Sequence, residues 1–221
     1  MNKTLFIAVK AVIITSLFAL FAPSAFSNGE MSSYTEVSKN ELKQRIESLH
    51  SEVDLRYTDE VHQIINTYIK KYRRGSERLL GLSEQFFPLY EAEFQKQGLP
   101  AELKYLSVIE SGLKPTALSV SGAAGLWQFM KPTGELYGLR INSTVDERRD
   151  PIKSTQAASE YLKDLYQQFG DWTLALAAYN CGPGNVRKAL RRSQEEEFWS
   201  MKGRGYLPKD CLLYTSDAAD E

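Results

Sequence analysis

The sequence predicts a mainly α-helical protein, on three observations. Apolar residues recur at helical spacing in one window after another, alternating strand-like runs are scarce, and no segment repeats another. Glycine and proline then separate the helical windows from a single loop-rich stretch.

Taken in order, residues 1–27 read as an export signal rather than as part of the fold. Lys3 gives a positive start, the run from Ala11 to Phe21 is almost wholly apolar, Pro23 breaks it, and Ala25-Phe26-Ser27 has the small-residue pattern of a cleavage site. Lys10 interrupts the run before it reaches the about 20 apolar residues of a bilayer span. The mature protein is therefore expected to be soluble, exported, and located in the periplasm or cell envelope. At the other end, residues 211–221 resemble a translated sequencing-library adaptor, so the native chain is expected to continue past Asp210. With both ends set aside, 25 of the 27 basic and 25 of the 28 acidic residues remain. That balance gives no electrostatic case for a nucleic-acid partner. Cys181 is then the lone native cysteine, which excludes an internal disulfide.

Residues 28 to about 39 are polar and read as a linker, with a helical segment continuing to about residue 80. From Thr58 onward, Val61, Ile64, Ile65, Tyr68, Ile69 and Tyr72 share one helical face. The run Lys70-Lys71-Tyr72-Arg73-Arg74 suits a helix C-terminus, and Gly75 is expected to end it. A second helix is expected from Ser83, as its N-cap, to Gln97, with Phe86, Phe87, Tyr90 and Phe94 on one side and Gly98 as its stop. Pro100 opens a third at its tolerated first-turn position and turns Leu103, Leu106 and Ile109 inward. The loop-rich stretch runs from Gly112 to Gly138. Further helices are expected from Ser154 to Phe169, from Trp172 to about Tyr179, and after Gly184 through Val186, Ala189 and Leu190.

Glu110 is badly placed for a structural residue. It follows Leu103 and Leu106 on the inward face of the Pro100 helix. It also stands at the helix C-terminus, where a negative charge opposes the macrodipole, because Ser111-Gly112 and Pro115 end the helix. Desolvation and the dipole both favour its protonated form, so a raised pKa is expected. A carboxyl protonated near neutral pH is what a general acid for glycosidic-bond cleavage requires. Position alone also fits a buried glutamate held by one structural hydrogen bond.

The surroundings add a pattern. Glu110-Ser111-Gly112-Leu113 is followed by Pro115, then by the block from Ser119 through Gly122, Gly125, Leu126, Trp127, Gln128 and Phe129 to Met130. The block Ala177-Ala178-Tyr179-Asn180-Cys181-Gly182-Pro183-Gly184 comes later. In this order and spacing, the three blocks resemble the catalytic domain of the lytic transglycosylases, which is related to goose-type lysozyme. The resemblance is closest to the membrane-bound lytic murein transglycosylase D type, which also shows the Asp146-Glu147-Arg148-Arg149-Asp150-Pro151 and Gly170-Asp171-Trp172 patterns. It spans about Gly81 to Asp210 and implies a lysozyme-like helical domain with a loop-rich substrate cleft.

By position, the resemblance implies Glu110 as the catalytic acid/base. Ser119, Ser121 and Tyr179 would be its supporting residues, with Tyr179 facing it across the cleft. Ser111, Gln128 and Asn180 would line the substrate side. It implies a lyase reaction on peptidoglycan, used in cell-wall remodelling and turnover, that requires no cofactor and no metal. Glu110 would protonate the oxygen linking N-acetylmuramic acid to N-acetylglucosamine, and the substrate's N-acetyl group would stabilise the cation. Glu110 would then take the proton from the muramoyl C6 hydroxyl as it closes onto C1, giving a 1,6-anhydromuramoyl end. Two other readings stand beside it: hydrolysis, with water replacing the C6 hydroxyl, and a non-catalytic peptidoglycan-binding domain. The last would predict loss of Glu110, Tyr179 or Gln128, and all three are present. Asp146 and Asp150 are the nearest spare carboxylates, but their Asp-Glu-Arg-Arg-Asp setting reads as a salt-bridged loop. Trp127 and Phe129 straddle Gln128, and core packing is their default.

Overall fold

The computed structural model describes residues 38–49, 51–54, 56–70 and 73–208. The expected export signal, nearly all of the linker and the adaptor-like tail lie outside the described residues. Helices dominate, and β structure among the described residues is limited to isolated bridges.

Helix α1 (Lys39–Glu47) is N-capped by the Ser38 hydroxyl, which accepts from the Glu41 amide. It is tied to helix α2 (Asp59–Lys70) by an exposed 2.7 Å pair between Lys39 and Asp59. Thr58 caps α2 through the Val61 amide, and Val61 and Ile65 are fully buried, as the spacing requires. The segment packs onto the rest of the fold. Val53 enters the main core, and Arg56 lies over the Trp199 ring at 5.6 Å and pairs with Glu197 at 3.6 Å.

Helix α3 (Arg73–Gln97) departs from expectation. Gly75 ends nothing and Ser83 caps nothing; both lie inside α3, and the Ser83 hydroxyl donates back to the Leu80 carbonyl at 2.6 Å. Leu79 and Leu82 pack on the core, alongside the buried stripe of Phe86, Phe87, Tyr90 and Phe94. That burial outweighs the about 1 kcal/mol helix penalty of each glycine. After Pro100 the chain makes a 3-10 turn (Ala101–Lys104) before helix α4 (Tyr105–Ser111). Leu103, Leu106 and Ile109 are buried as expected. Gly112 caps α4 in the left-handed conformation, with φ 59°.

The stretch after α4 is loop, punctuated by helix α5 (Lys131–Leu136) and a 3-10 turn (Glu147–Arg149). Helix α6 (Pro151–Phe169) starts three residues before the expected Ser154. The Asp150 carboxylate accepts from the Ile152 and Lys153 amides, and Pro151 occupies the first turn. Gly170 ends α6, and Asp171 caps helix α7 (Trp172–Cys181). Residues 172–178 of α7 are all buried, with Ala157, Ala158, Leu162 and Leu165 of α6 in the same core. Helix α8 (Pro183–Ser193) buries Val186 and Ala189, and helix α9 (Phe198–Gly203) closes the described chain. No helix of the described residues is long and apolar enough to cross a membrane.

The core holds many tyrosines, and this sets an alkaline limit. Burial pushes the Tyr90 phenol well above its usual range and takes Tyr105 and Tyr161 up to about 12. Burial and the Asp164 carboxylate do the same to Tyr137. An unfolded tyrosine ionises near pH 10, before these do. Their contribution is therefore complete below about pH 10 and is lost as pH rises from there through the folded values. The melting temperature is expected to drop between about pH 10 and 12, with phenolate absorbance appearing in step with unfolding. Full phenolate titration near pH 10 with the fold intact would contradict this.

Candidate active site

Glu110 stands one residue before the end of α4 and is half-buried, while the rest of that short helix is buried. Gly112 and Leu113 then turn the chain through two successive left-handed residues, Leu113 with φ 58° while fully enclosed. A branched residue rarely holds that conformation, and the surrounding core keeps it there.

Tyr179, near the end of α7, brings the third motif block to the first. Its phenol is held well above the usual tyrosine range, by burial first and then by the nearby Glu110 carboxylate. It therefore stays protonated at neutral pH, and its hydroxyl donates to the Trp127 carbonyl at 2.7 Å. One side chain thus links α7, Glu110 and the middle block. Tyr161 of α6 lies against the Tyr179 ring at 5.1 Å, and Phe129 lies at 6.3 Å.

The middle block is a compact loop. The Ser119 amide donates to the Ala123 carbonyl at 2.8 Å, and the Ser119 hydroxyl accepts from the Ala123 amide at 3.0 Å. A hydroxyl used this way keeps its own proton to donate. Ser121 is exposed at the tip of this turn. Ala124 and Phe129 exchange backbone bonds at 3.1 Å, and Gln128, inside the turn they close, has φ 48°. Its amide donates to the Gly125 carbonyl at 2.9 Å. Trp127 and Phe129 both pack inward, and the Trp127 indole donates to Thr155 at 3.0 Å.

Ser111 is turned away from the substrate side expected for it. It is buried, and its hydroxyl faces the Leu126 carbonyl at 2.9 Å and the Ser107 carbonyl at 3.0 Å. Ser107 also donates to Leu126, at 3.1 Å, and so receives the Tyr90 hydroxyl at 3.0 Å. These bonds satisfy a buried carbonyl and tie α4 to the middle block. Asn180 is half-buried beside Tyr179. Cys181 is disulfide-bonded, which corrects the expected lone thiol.

The two spare carboxylates are already employed. Asp146 takes a bidentate bond from Arg148, at 2.9 and 2.7 Å, and the guanidinium beside it holds its carboxyl below the usual range. Asp150 caps α6. Arg148 is the residue that sequence reasoning missed. It is buried, and one guanidinium nitrogen donates to the carbonyls of Gly122, at 2.8 Å, and Phe129, at 3.0 Å. The block Asp-Glu-Arg-Arg-Asp signals ion pairing but not which arginine turns inward.

Three comparisons bear on this geometry. The family model described as "Transglycosylase SLT domain" matches residues 88–202. The chain is 36% identical over 156 residues to the membrane-bound lytic murein transglycosylase D of Escherichia coli (strain K12), covering 65% of this chain and 34% of that one. It is 36% identical over 109 residues to a putative tributyltin chloride resistance protein of Alteromonas sp. (strain M-1), covering 49% of this chain and 53% of that protein. The chain thus spans about a third of the first relative and about half of the second. Among solved structures, an inactive mutant of the lytic transglycosylase Slt from Pseudomonas aeruginosa matches with a TM-score of 0.50 and 22% identity, over 81% of this chain and 31% of that chain. That likeness supports the lysozyme-like helical fold.

Proposed function

The chain belongs to the SLT transglycosylase family, since that domain matches more than half of it, and from this premise we propose that it is a peptidoglycan lytic transglycosylase. It cleaves the β-1,4 bond between N-acetylmuramic acid and N-acetylglucosamine and leaves 1,6-anhydromuramoyl ends, with residues 81–210 as its catalytic domain. Residues 28–80 are a linker followed by an N-terminal helical segment, whose Val53 and Arg56 rest on this domain.

The observation that carries the reading is the half-buried Glu110 at the end of α4, near Tyr179 of α7, whose hydroxyl holds the middle block through the Trp127 carbonyl. A glycosidase with two carboxylates needs a second acid free to act, and Asp146 and Asp150 are occupied by Arg148 and by the α6 amides. Glu110 therefore serves twice. It gives its proton to the glycosidic oxygen, then as a carboxylate accepts the proton of the C6 hydroxyl that attacks C1. The aglycone leaves as an alcohol and the ring closes, so no water is consumed. Tyr179 holds the Trp127 carbonyl and so fixes the backbone entering Gln128. Ser119, Ser121, Gln128 and Asn180 line the sugar-binding side.

An exported, cell-envelope location follows from such a substrate, and relatives carry names of both membrane-bound and soluble murein transglycosylases. Incubation with purified peptidoglycan tests the reading. Release of soluble muropeptides is expected; binding to the sacculus without release would leave a glycan-binding domain.

A further inference from the structure

We propose that Asp146 and Arg148 form a positioning pair, a clamp that holds the Ser119–Phe129 loop in the shape that presents Gln128 to the cleft. This deepens the reading above and rests on it.

The clamp has two sides. On the loop side, the Arg148 guanidinium bridges Gly122, beside the tip of the loop, and Phe129, at its end, while its other nitrogens are locked on Asp146. The Arg148 backbone lies against Gly125, so close that a side chain there would overlap the Arg148 carbonyl. On the far side, the same 3-10 turn is anchored by Glu147. Its buried carboxylate accepts from the Arg140 amide at 2.8 Å and pairs with Arg140, at 3.2 Å, and with Lys153 in the first turn of α6. Force on the loop therefore passes through Arg148 into α6, whose Tyr161 rests on Tyr179.

The pair, with Arg148 buried and Asp146 half-buried, is a weak source of stability, because desolvating its charges offsets much of their attraction. What it supplies is direction: a planar guanidinium fixes two carbonyls and one carboxylate at once, which an apolar side chain of equal volume does not. Gln128 needs that support, since its left-handed backbone is not a resting conformation for a residue with a side chain.

The test compares wild type, Arg148→Lys and Asp146→Asn on glycan strands, well below their melting temperatures. Glu91→Gln, which breaks the Lys104 pair outside this loop, is the control. A lysine cannot hold both carbonyls and both carboxylate oxygens, so kcat/KM per folded molecule is expected to fall about tenfold or more in Arg148→Lys. A smaller fall is expected in the nearly isosteric Asp146→Asn, which carries the test if the lysine variant does not fold. Hydrogen exchange at the Ala124 and Phe129 amides should quicken in both, while Glu91→Gln keeps the wild-type kcat/KM. A lowered melting temperature with unchanged kcat/KM and unchanged exchange would overturn the clamp. An inactive wild type would remove the proposed activity, yet exchange at those two amides would still decide the clamp.

Discussion

Glu110→Gln is expected to lower turnover of peptidoglycan by about four orders of magnitude, the upper end of what one general acid/base supplies. The size follows from the double role. Glutamine neither protonates the leaving oxygen nor accepts the C6 proton, and Asp146 and Asp150 are held by Arg148 and by the α6 N-terminus. Folding should be nearly indifferent. Glu110 is half-buried at a helix C-terminus, where its charge faces the carbonyl end of the dipole, and glutamine keeps its volume. The melting temperature is expected to stay within about 2 °C of wild type, less than 1 kcal/mol for a domain of this size. Activity within about tenfold of wild type would move the catalytic role elsewhere.

Gly125→Ala is expected to have the largest effect on the fold. A Cβ at Gly125 would lie 1.7 Å from the Arg148 carbonyl oxygen and 2.6 Å from its carbon. The backbone there has φ +82°, itself unfavourable for alanine by about 1–2 kcal/mol. The obstructing atoms are main chain, and the turn that carries them is fixed through Asp146, Glu147 and Asp150, so neither side gives way. The expected loss is about 4 kcal/mol or more, read as a melting temperature lower by roughly 10 °C or more. Gly122→Ala isolates the steric part. Gly122 has a similar φ of +86° with open space around its Cβ, so about 1–2 kcal/mol is expected there. Equal losses at the two glycines would mean that backbone strain, not the contact with Arg148, dominates.

Much of this was legible in the sequence because it is local. Gly98 after Gln97 and Gly112 after Ser111 are end signals that act within a turn of where they stand, whereas Asp150-Pro151, which starts α6, reads in the sequence only as part of an ion-paired loop. That Glu110 lies near Tyr179 was legible only through the resemblance, since 69 positions separate them and no periodicity spans the gap. The start of α3 was misread because Gly75 and Ser83 carry correct local signals that burial of Leu79 and Leu82 overrides. Ser111 was expected on the substrate side because, in sequence, a hydroxyl beside such a glutamate looks the same whether it faces sugar or a buried carbonyl. Arg148 was hidden for a related reason. In Asp-Glu-Arg-Arg-Asp either arginine suits solvent, and only the fold puts Arg148 inside and leaves Arg149 out.

With Glu110 acting twice, the proposed reaction breaks the glycosidic bond without water. Digestion of purified peptidoglycan in water enriched in the heavy oxygen isotope, followed by mass spectrometry of the muropeptides, tests it most directly. The account predicts muramoyl ends lighter by one water than lysozyme products and free of the heavy isotope. Reducing ends carrying the heavy oxygen would contradict it and establish hydrolysis.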